Sequence, residues 1–421
     1  WLLRRCNRHQ RSNLSRLVNS MLNRPICIAG KNSIALAGLS YVLENYGNDS
    51  DIFALGDKQD TYVDKWQPSY LKFAKSKGIK IVELEDLYAI DDLCFISLEY
   101  FKLIDPYKFS TESFFNIHFS LLPAYRGMYT SAHPILNSES KTGCTIHEID
   151  DGIDTGKIIS QSSFNIDERF NCKDVYENYL KSGIGLVFDT IDSLIQDSFQ
   201  SFSHPQEGGS YYSKSSIDYE NLDLDFSEGS ENLIRQIRAY SFRDYQLPVI
   251  NKKRIFGYTE TEKESKERPG TIKDIGESKM VISTSDRDVV VFCDNFDQLD
   301  HAVNRGDEKS IPEIINLNPK TVNEKNKYGW TPLIISSYLG KHNILRTLLD
   351  NGADVNVTNP KGTTPLMYAK YFAERTGDLT GLEILLEAGS KKDTQDIFRK
   401  NIFDYLDEKS PYNKIITNCL S

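Results

Sequence analysis

The stretch RPICIAGKNSIALAGLSYVLENYGNDSDIFALGD, residues 24–57, predicts a strand, a helix and a second strand. The apolar run that ends at Gly30 fits a buried strand. Asn32 or Ser33 can cap the helix that follows, and Gly47 ends it. The helix carries apolar residues at near-helical spacing, so this stretch reads as the first strand–helix–strand unit of a larger fold.

The alternation of strands and helices continues downstream. A helix is predicted over 69–78, and apolar strands over 80–84 and 93–98. Strands that alternate with helices form a parallel sheet with helices on both faces. We therefore expect an α/β fold with a Rossmann-like, mostly parallel sheet, whose ligands bind beyond the carboxyl ends of the strands. The segment GKNS, residues 30–33, lacks the earlier glycine of a phosphate loop and is interpreted as a strand-to-helix turn.

The composition indicates several globular domains. The chain has 421 residues, a net charge of −10 and 39% hydrophobic residues, which suits two or three packed cores. Its acidity argues against binding a nucleic-acid backbone. Seven scattered cysteines without Cys-x-x-Cys spacing indicate reduced thiols, with neither a disulfide framework nor a zinc site. No apolar run is long enough to span a bilayer, so we expect a cytoplasmic protein with no membrane or nucleic-acid partner.

The chain divides into four predicted segments. Residues 1–23 carry five arginines and no acidic residue, as an organelle presequence or translated upstream sequence would, and we expect them to be non-native or disordered. The α/β domain is predicted over 24–203. A loop rich in Ser, Gly and Tyr then opens a small mixed α+β module over 204–294, which we assign to substrate binding or dimerisation. An all-α domain is expected over 295–421.

The last segment contains an internal repeat. Gly329 recurs as Gly362 and Pro332 as Pro365, a spacing of 33 residues. Thr-Pro begins a helix through its cap and first-turn geometry, and a glycine ends one. This period resembles that of ankyrin repeats. Trp330 stands just before a Thr-Pro, so it is either a solvent-facing repeat residue or part of an auxiliary site for a small molecule or a protein.

Polar residues concentrate in two stretches, NIHFSLLPAYRG (116–127) and TIHEIDDGIDTG (145–156). No His-x-His pair supports a metal site, and no Gly-x-Ser-x-Gly elbow supports a serine hydrolase. An asparagine amide and an imidazole can donate to one developing oxyanion, and a carboxylate can keep the histidine protonated or move a proton. Asn116, His118 and Asp154 therefore suit acyl transfer between two bound substrates.

Taken together, these two stretches resemble the folate-dependent formyltransferases, over about residues 24–200. The resemblance implies that the same three residues are catalytic and that N10-formyltetrahydrofolate is the formyl donor, with no metal. The pterin of the donor would lie between residues 97–104 and 147–153. The donor-binding residues implied are Tyr100, Ile104, Ile149 and Asp150. His147 is either catalytic itself or a strand residue that supports the loop of Asp154.

Two further stretches, 208–219 and 237–248, resemble the second module of bacterial sugar-nucleotide N-formyltransferases. Those enzymes formylate the amine of dTDP-linked 3- or 4-amino-dideoxyhexoses for the O-antigen of lipopolysaccharide, and some carry ankyrin repeats, which favours a 3-amino-3,6-dideoxy sugar. The predicted acceptor-binding residues are Lys214 and Arg238 for the diphosphate, and Tyr212, Phe242 and Tyr245 for the thymine.

Other interpretations of the sequence stay open at this point. The aromatic residues just named could equally be ordinary core residues. The acceptor could be methionyl-tRNA, or the ankyrin repeats could define a scaffold that carries a degenerate formyltransferase. We expect a homodimer.

Overall fold

The computed structural model describes residues 24–204, 208–274 and 276–421. The basic head at 1–23, with the expectation that it is non-native or disordered, lies outside the described residues. The described chain contains a seven-stranded sheet, a five-stranded sheet, a two-stranded sheet and a C-terminal array of helices. No helix within these ranges is both long and apolar enough to cross a membrane.

The seven-stranded sheet is the frame of the first part of the chain. Its strands are β1 (Ile26–Gly30), β2 (Ile52–Gly56), β3 (Lys80–Ile81), β4 (Cys94–Leu98), β5 (Phe114–His118), β7 (Lys141–Glu148) and β8 (Ile158–Asn165). The short strand β6 (Arg126–Gly127) lies between β5 and β7 in the chain but outside this sheet. The order is β3-β2-β1-β4-β5-β7-β8. The first five are parallel, and β7 and β8 run antiparallel. The mostly parallel α/β sheet is therefore confirmed.

Residues on the two faces of this sheet belong to different apolar clusters, because successive side chains of a strand point in opposite directions. The helices of this part are α1 (Asn32–Tyr46), α2 (Tyr70–Ser76), α3 (His133–Leu136) and α4 (Cys172–Ile195). Ile28 and Ile96 share a core with α1 and α4, whereas Cys27 and Phe95 pack on the other face. Asn32 accepts a hydrogen bond from the backbone of Ile34, as a helix-capping residue does.

The second sheet is antiparallel and packs against one helix. It comprises β10 (Val249–Ile250), β11 (Lys253–Glu264), β12 (Ile272–Asp274), β13 (Lys279–Ser283) and β14 (Arg287–Cys293), in the order β10-β11-β14-β13-β12, and its helix is α5 (Ser230–Tyr240). A short strand β9 (Tyr211–Tyr212) pairs with β6 and so joins the loop before this sheet to the first part. This is the small mixed α+β unit that the sequence predicts, although the long strand β11 was not predicted.

The C-terminal array has the features of the predicted repeats. Its helices are α6 (Phe296–Arg305), α7 (Ser310–Leu317), α8 (Pro332–Leu339), α9 (His342–Asp350), α10 (Pro365–Thr376), α11 (Thr380–Glu387) and α12 (Asn413–Leu420). The side chains of Thr331 and Thr364 cap α8 and α10, and proline occupies the first turn of each. Gly340 ends α8 in the left-handed region, with φ of 64°.

The repeat array folds back onto the helices and a loop of the α/β part at several points. Buried Lys173, at the start of α4, bonds Glu324 at 2.7 Å. Lys361, in the loop between α9 and α10, bonds Asp64 at 3.0 Å. Phe398 packs on Phe73 of α2, with ring centroids 6.0 Å apart. The loops between repeats therefore face the α/β part of the chain. The boundaries at 203/204 and 294/295 stay predictions.

Candidate active site

Strand β5 presents two of the predicted catalytic side chains. Asn116 and His118 are two residues apart, so they point to the same face of the strand. Register places Asn116 opposite His147 of β7. His118 is the last residue of β5 and is buried. The carboxyl end of a parallel strand in an open α/β sheet is where ligands bind.

The loop after β7 carries Asp154 to this strand end. Asp154 Oδ2 lies 3.4 Å from His118 Nδ1, and Oδ1 lies 3.6 Å from His147 Nε2. The backbone N–H of Gly127 donates to Asp154 Oδ2 at 2.9 Å. Asp154 adopts a φ of 53°, in the region that L-residues rarely occupy. The structure therefore brings together the three residues that the two motifs predicted.

Only one nitrogen of His118 is free to act on a substrate. His118 Nε2 lies 2.8 Å from the carbonyl oxygen of Tyr125. Because a carbonyl can only accept, Nε2 carries the proton and donates. The neutral imidazole then presents an unprotonated Nδ1 toward Asp154, which makes Nδ1 a proton acceptor.

His147 belongs to the site, which the sequence left undecided. Its Nδ1 donates to the carbonyl of Glu148 at 2.6 Å, so the neutral ring has a lone pair on Nε2. Asn116 Nδ2 donates to that Nε2 at 3.1 Å. His147 thus fixes the orientation of the Asn116 amide and leaves its second N–H available.

Burial and charge set the protonation states. Burial lowers the pKa of His118 below its ordinary value, and the Asp154 carboxylate opposes that shift. For Asp154, burial raises the pKa, but His118, His147 and the Gly127 N–H together outweigh it and bring the pKa to about 2. At neutral pH the pair is a carboxylate beside a mainly neutral imidazole. Within the described ranges, no group of three His, Cys, Asp or Glu side chains could hold a metal ion.

Three of the predicted donor-binding residues share one apolar cluster. Tyr100, Ile104 and Ile149 pack against the core of the sheet face that contains Phe95. The backbone N–H of Ile149 bonds the carbonyl of Phe114, which ties this loop to the start of β5. The side chain of Asp150 accepts from Thr155 Oγ1 at 2.6 Å, so it shapes the loop that carries Asp154.

The five predicted acceptor-binding residues lie in three places. Phe242 and Tyr245 pack together, with centroids 4.8 Å apart, and Tyr245 is 61% exposed. Tyr212 stacks on His133 at 3.7 Å. Lys214 is exposed. Arg238 is part-buried and donates to the carbonyls of Phe170 and Asp167 at 2.7 and 3.0 Å, contacts of a scaffold residue.

A polar cluster that the sequence did not predict lies at the ends of β1 and β4. Asn32 donates to the Glu99 carboxylate and, at 2.8 Å, to the hydroxyl of Tyr176. Tyr176 donates to Glu99 at 2.9 Å, and Lys31 Nζ lies 3.5 Å from Glu99. Trp66 covers Tyr176 and also contacts Phe242 and Tyr245. Lys31 and Asn32, in the segment 30–33, therefore belong to a polar cluster as well as to the strand-to-helix turn. Their partners Glu99 and Tyr176 are distant in the sequence.

Trp330 lines a cavity between the repeats and the α/β part. The cavity has a volume of about 490 Å³ and is bordered by Asp64, Lys65 and Pro68 on one side. On the other side, Trp330 packs on Tyr368 with centroids 4.7 Å apart.

Sequence models of two families match the chain. The formyl transferase model matches residues 95–190, and the model of ankyrin repeats in three copies matches 299–396. A crystal structure of WlaRD, described as a sugar 3N-formyl transferase in the presence of dTDP and 5-N-formyl-THF, has 37% sequence identity to the chain and a TM-score of 0.59. The match covers 65% of this chain and 98% of WlaRD. The chain belongs to the formyltransferase family.

This formyltransferase is also similar to two further proteins. The crystal structure of the N-formyltransferase from Helicobacter canadensis, in complex with folinic acid and dTDP-3-aminofucose, has 37% identity and a TM-score of 0.59, over 64% of this chain and 98% of that one. The methionyl-tRNA formyltransferase of Thermosipho melanesiensis is 30% identical over 232 residues, 54% of this chain and 71% of its own length.

Proposed function

We propose that this formyltransferase transfers the formyl group of N10-formyltetrahydrofolate to the amine of a dTDP-linked 3-amino-3,6-dideoxyhexose. The observation that carries the proposal is the similarity to WlaRD, which extends over 98% of that sugar 3N-formyl transferase. The protein from Helicobacter canadensis, matched to the same extent, is described with dTDP-3-aminofucose. Both descriptions name a 3-amino position or substrate, which favours C3 over C4.

The donor would lie against Tyr100, Ile104 and Ile149, beside the loop that Asp150 shapes. These three side chains form an apolar surface next to the start of β5. An aromatic pterin suits such a surface, because it gains free energy from leaving water. The donor supplies the formyl carbon to which the acceptor amine adds.

The acceptor would lie on the opposite side of the trio formed by Asn116, His118 and Asp154, at the ends of β1 and β4. Lys31 supplies a positive charge for the diphosphate, while Trp66, Phe242 and Tyr245 offer aromatic surface for thymine. Glu99 can accept hydrogen bonds from sugar hydroxyls. Lys214 and Tyr212 remain proposed contributors, whereas the carbonyl contacts of Arg238 favour a scaffold role for that residue.

The trio would act on charge and protons as the amine adds. The free N–H of Asn116 donates to the formyl oxygen, where negative charge develops. Nδ1 of His118 accepts the proton that the amine releases, and the adjacent Asp154 carboxylate stabilises the imidazolium. The protonated Nδ1 can then donate to the same oxygen or return the proton to the leaving nitrogen of tetrahydrofolate.

An acceptor screen tests this function. The full chain is incubated with N10-formyltetrahydrofolate and, separately, dTDP-3-amino- and dTDP-4-amino-dideoxyhexoses, and the release of tetrahydrofolate is followed. Turnover with the 3-amino sugar and little with the 4-amino sugar is expected. Turnover with methionyl-tRNA instead would favour the second candidate, which the similarity to the Thermosipho melanesiensis protein supports. No turnover with any acceptor would favour a scaffold with a degenerate enzyme.

The cavity at Trp330 is proposed as an auxiliary site for a small molecule, with the sugar nucleotide as its first test ligand. Its aromatic lining suits a nucleobase, and Lys65 supplies a positive charge, while Lys361 is paired with Asp64. Titration of dTDP into the full chain should reveal two classes of site, and Trp330→Ala should lose one of them. A single class in both proteins would contradict this proposal and favour a protein ligand for the repeats.

The biological setting of the enzyme is proposed from the same similarities. It would act as a cytoplasmic homodimer that supplies formylated sugars for O-antigen in lipopolysaccharide. Light scattering of the purified chain tests the dimer, and loss of the formamido sugar from surface polysaccharide in a deletion strain tests the role.

A further inference from the structure

Arg126 is a cationic residue in the site that has no role in the chemistry described so far. It lies in β6, between two residues that contact the trio. The carbonyl of Tyr125 accepts from His118, and the N–H of Gly127 donates to Asp154. Arg126 is therefore held by its backbone beside the reacting groups.

The guanidinium of Arg126 has no partner among the residues that the structure describes. Its Nε is buried and makes no hydrogen bond, and no ion pair of its side chain is found in that part of the chain. A buried, unpaired donor of a charged group is costly, and native proteins rarely keep one without a use. In a chain of net charge −10, a free arginine beside the site indicates an anionic ligand.

The surface next to Arg126 indicates which anion. Met128, one residue beyond Gly127, and Ile153, one residue before Asp154, are 45% and 39% exposed. The backbone N–H of Gly127 donates to the Asp154 side chain at 2.9 Å, so Met128 and Ile153 each lie one residue from a partner of this contact. An exposed apolar pair beside an unpaired guanidinium suits a ligand with an aryl ring followed by a carboxylate.

We propose that Arg126 binds the glutamyl carboxylate of the folate donor, whose aminobenzoyl ring lies over Met128 and Ile153. This inference rests on the proposed function, since it assumes a folate donor. Arginine can grip a carboxylate through two parallel N–H donors, which lysine cannot do. Arg126 is thus a binding residue for the tail of the donor, distinct from the groups that act on the formyl carbon.

The test compares three ligands by calorimetry on the full chain. They are 5-formyltetrahydrofolate, the corresponding pteroylamide, which ends in a neutral carboxamide in place of glutamate, and dTDP. Arg126→Met should weaken the binding of 5-formyltetrahydrofolate by about tenfold or more and leave the binding of the pteroylamide and dTDP unchanged. Arg126→Lys should recover part of the loss. Arg235→Met is the matched control, because Arg235 also has a buried unpaired Nε but donates instead to Ser138.

The outcomes separate this inference from the proposed function. If Arg126→Met and Arg126→Lys both bind 5-formyltetrahydrofolate within about twofold of wild type, or if only dTDP binding weakens, the assignment of Arg126 is wrong. If the wild-type chain binds neither 5-formyltetrahydrofolate nor dTDP, the proposed function fails as well. Circular dichroism of each variant excludes loss of folding as the cause.

Discussion

In the proposed mechanism His118 works from a single nitrogen, because the Tyr125 carbonyl accepts the hydrogen bond from its Nε2. This places all of the proton chemistry on Nδ1, 3.4 Å from Asp154. It also explains why the histidine follows Asn116 by two residues. The same strand face would then present the proposed oxyanion donor and the proposed proton acceptor at a fixed separation.

The first prediction concerns the trio itself. His118→Asn and Asp154→Asn should each lower kcat by about a hundredfold or more, because each removes a group that acts on developing charge or on the proton. Thermal melts should stay close to wild type, since Asp154→Asn preserves the shape of the side chain and His118→Asn keeps a polar side chain at the strand end. His301→Asn, at an exposed position on α6, is the control and should keep full turnover. Near-normal activity of both trio variants would refute the catalytic assignment.

A second prediction concerns pH. Burial keeps the pKa of His118 below 6.5, and Asp154, with a pKa of about 2, stays ionised above pH 4. Since the protonated Nδ1 cannot accept a proton, turnover should fall as the pH drops through the pKa of His118. NMR titration of the imidazole should show a still lower pKa in Asp154→Asn, because the carboxylate that raises it is gone. An unchanged or higher value would contradict this electrostatic coupling.

The elements show which parts of the site are predictable from sequence. Asn116, His118 and Asp154 lie in two compact motifs, and the resemblance of these motifs to the folate-dependent formyltransferases singles out Asp154 among the four acidic residues of the second. The role of His147 depends on an antiparallel register and on a bulge between Ile146 and His147, neither of which one sequence specifies. The polar cluster around Glu99 was missed because its members follow the ends of β1 and β4 or lie in α4, far apart in the sequence.

Strand β11 and Arg238 show two further limits of sequence reasoning. Residues 260–264 of β11 are mostly charged and lack the apolar alternation that indicates a strand. Pairing with β14 makes them a strand nonetheless. Arg238 looks like an anion-binding residue until the carbonyls at 167 and 170 are in place to accept from it.

The third prediction concerns the buried ion pairs that join the start of α4 to the repeats. Lys173 is buried between Asp244 and Glu324, at 2.8 and 2.7 Å. Lys173→Met leaves two buried carboxylates without a cation and should lower the free energy of unfolding by about 3–5 kcal/mol, measured by urea denaturation. Arg169→Ala, which breaks an exposed pair, is the control and should change nothing measurable. Equal stability of the two variants would show that the buried pair contributes little.

On the scale of the whole molecule, the repeats support the loop over the proposed acceptor site. Asp64 bonds Lys361, and Trp66, two residues on, contacts Phe242 and Tyr245. The match covers 98% of WlaRD but 65% of this chain. WlaRD is therefore a shorter chain that folds without a counterpart of the unmatched part. A fragment of residues 24–294 is therefore expected to fold and to bind 5-formyltetrahydrofolate normally.

The fourth prediction is that this fragment has a raised KM for the acceptor, because the loop of Trp66 has lost its support. Lys361→Ala in the full chain should raise the same KM to a smaller extent, with kcat for saturating acceptor unchanged. Steady-state kinetics with each substrate varied in turn separates the two effects. An acceptor KM equal to wild type in both proteins would contradict a supporting role for the repeats.

The contacts of the repeat loops also constrain how the array can change length. The first repeat loop contacts α4 through Glu324, the second contacts Asp64 through Lys361, and the last packs Phe398 on α2. Free-standing arrays gain and lose whole repeats readily, since each unit contacts only its neighbours. Here the loss of one 33-residue unit would shift every later loop off its partner, so relatives that share this docking should share its repeat number.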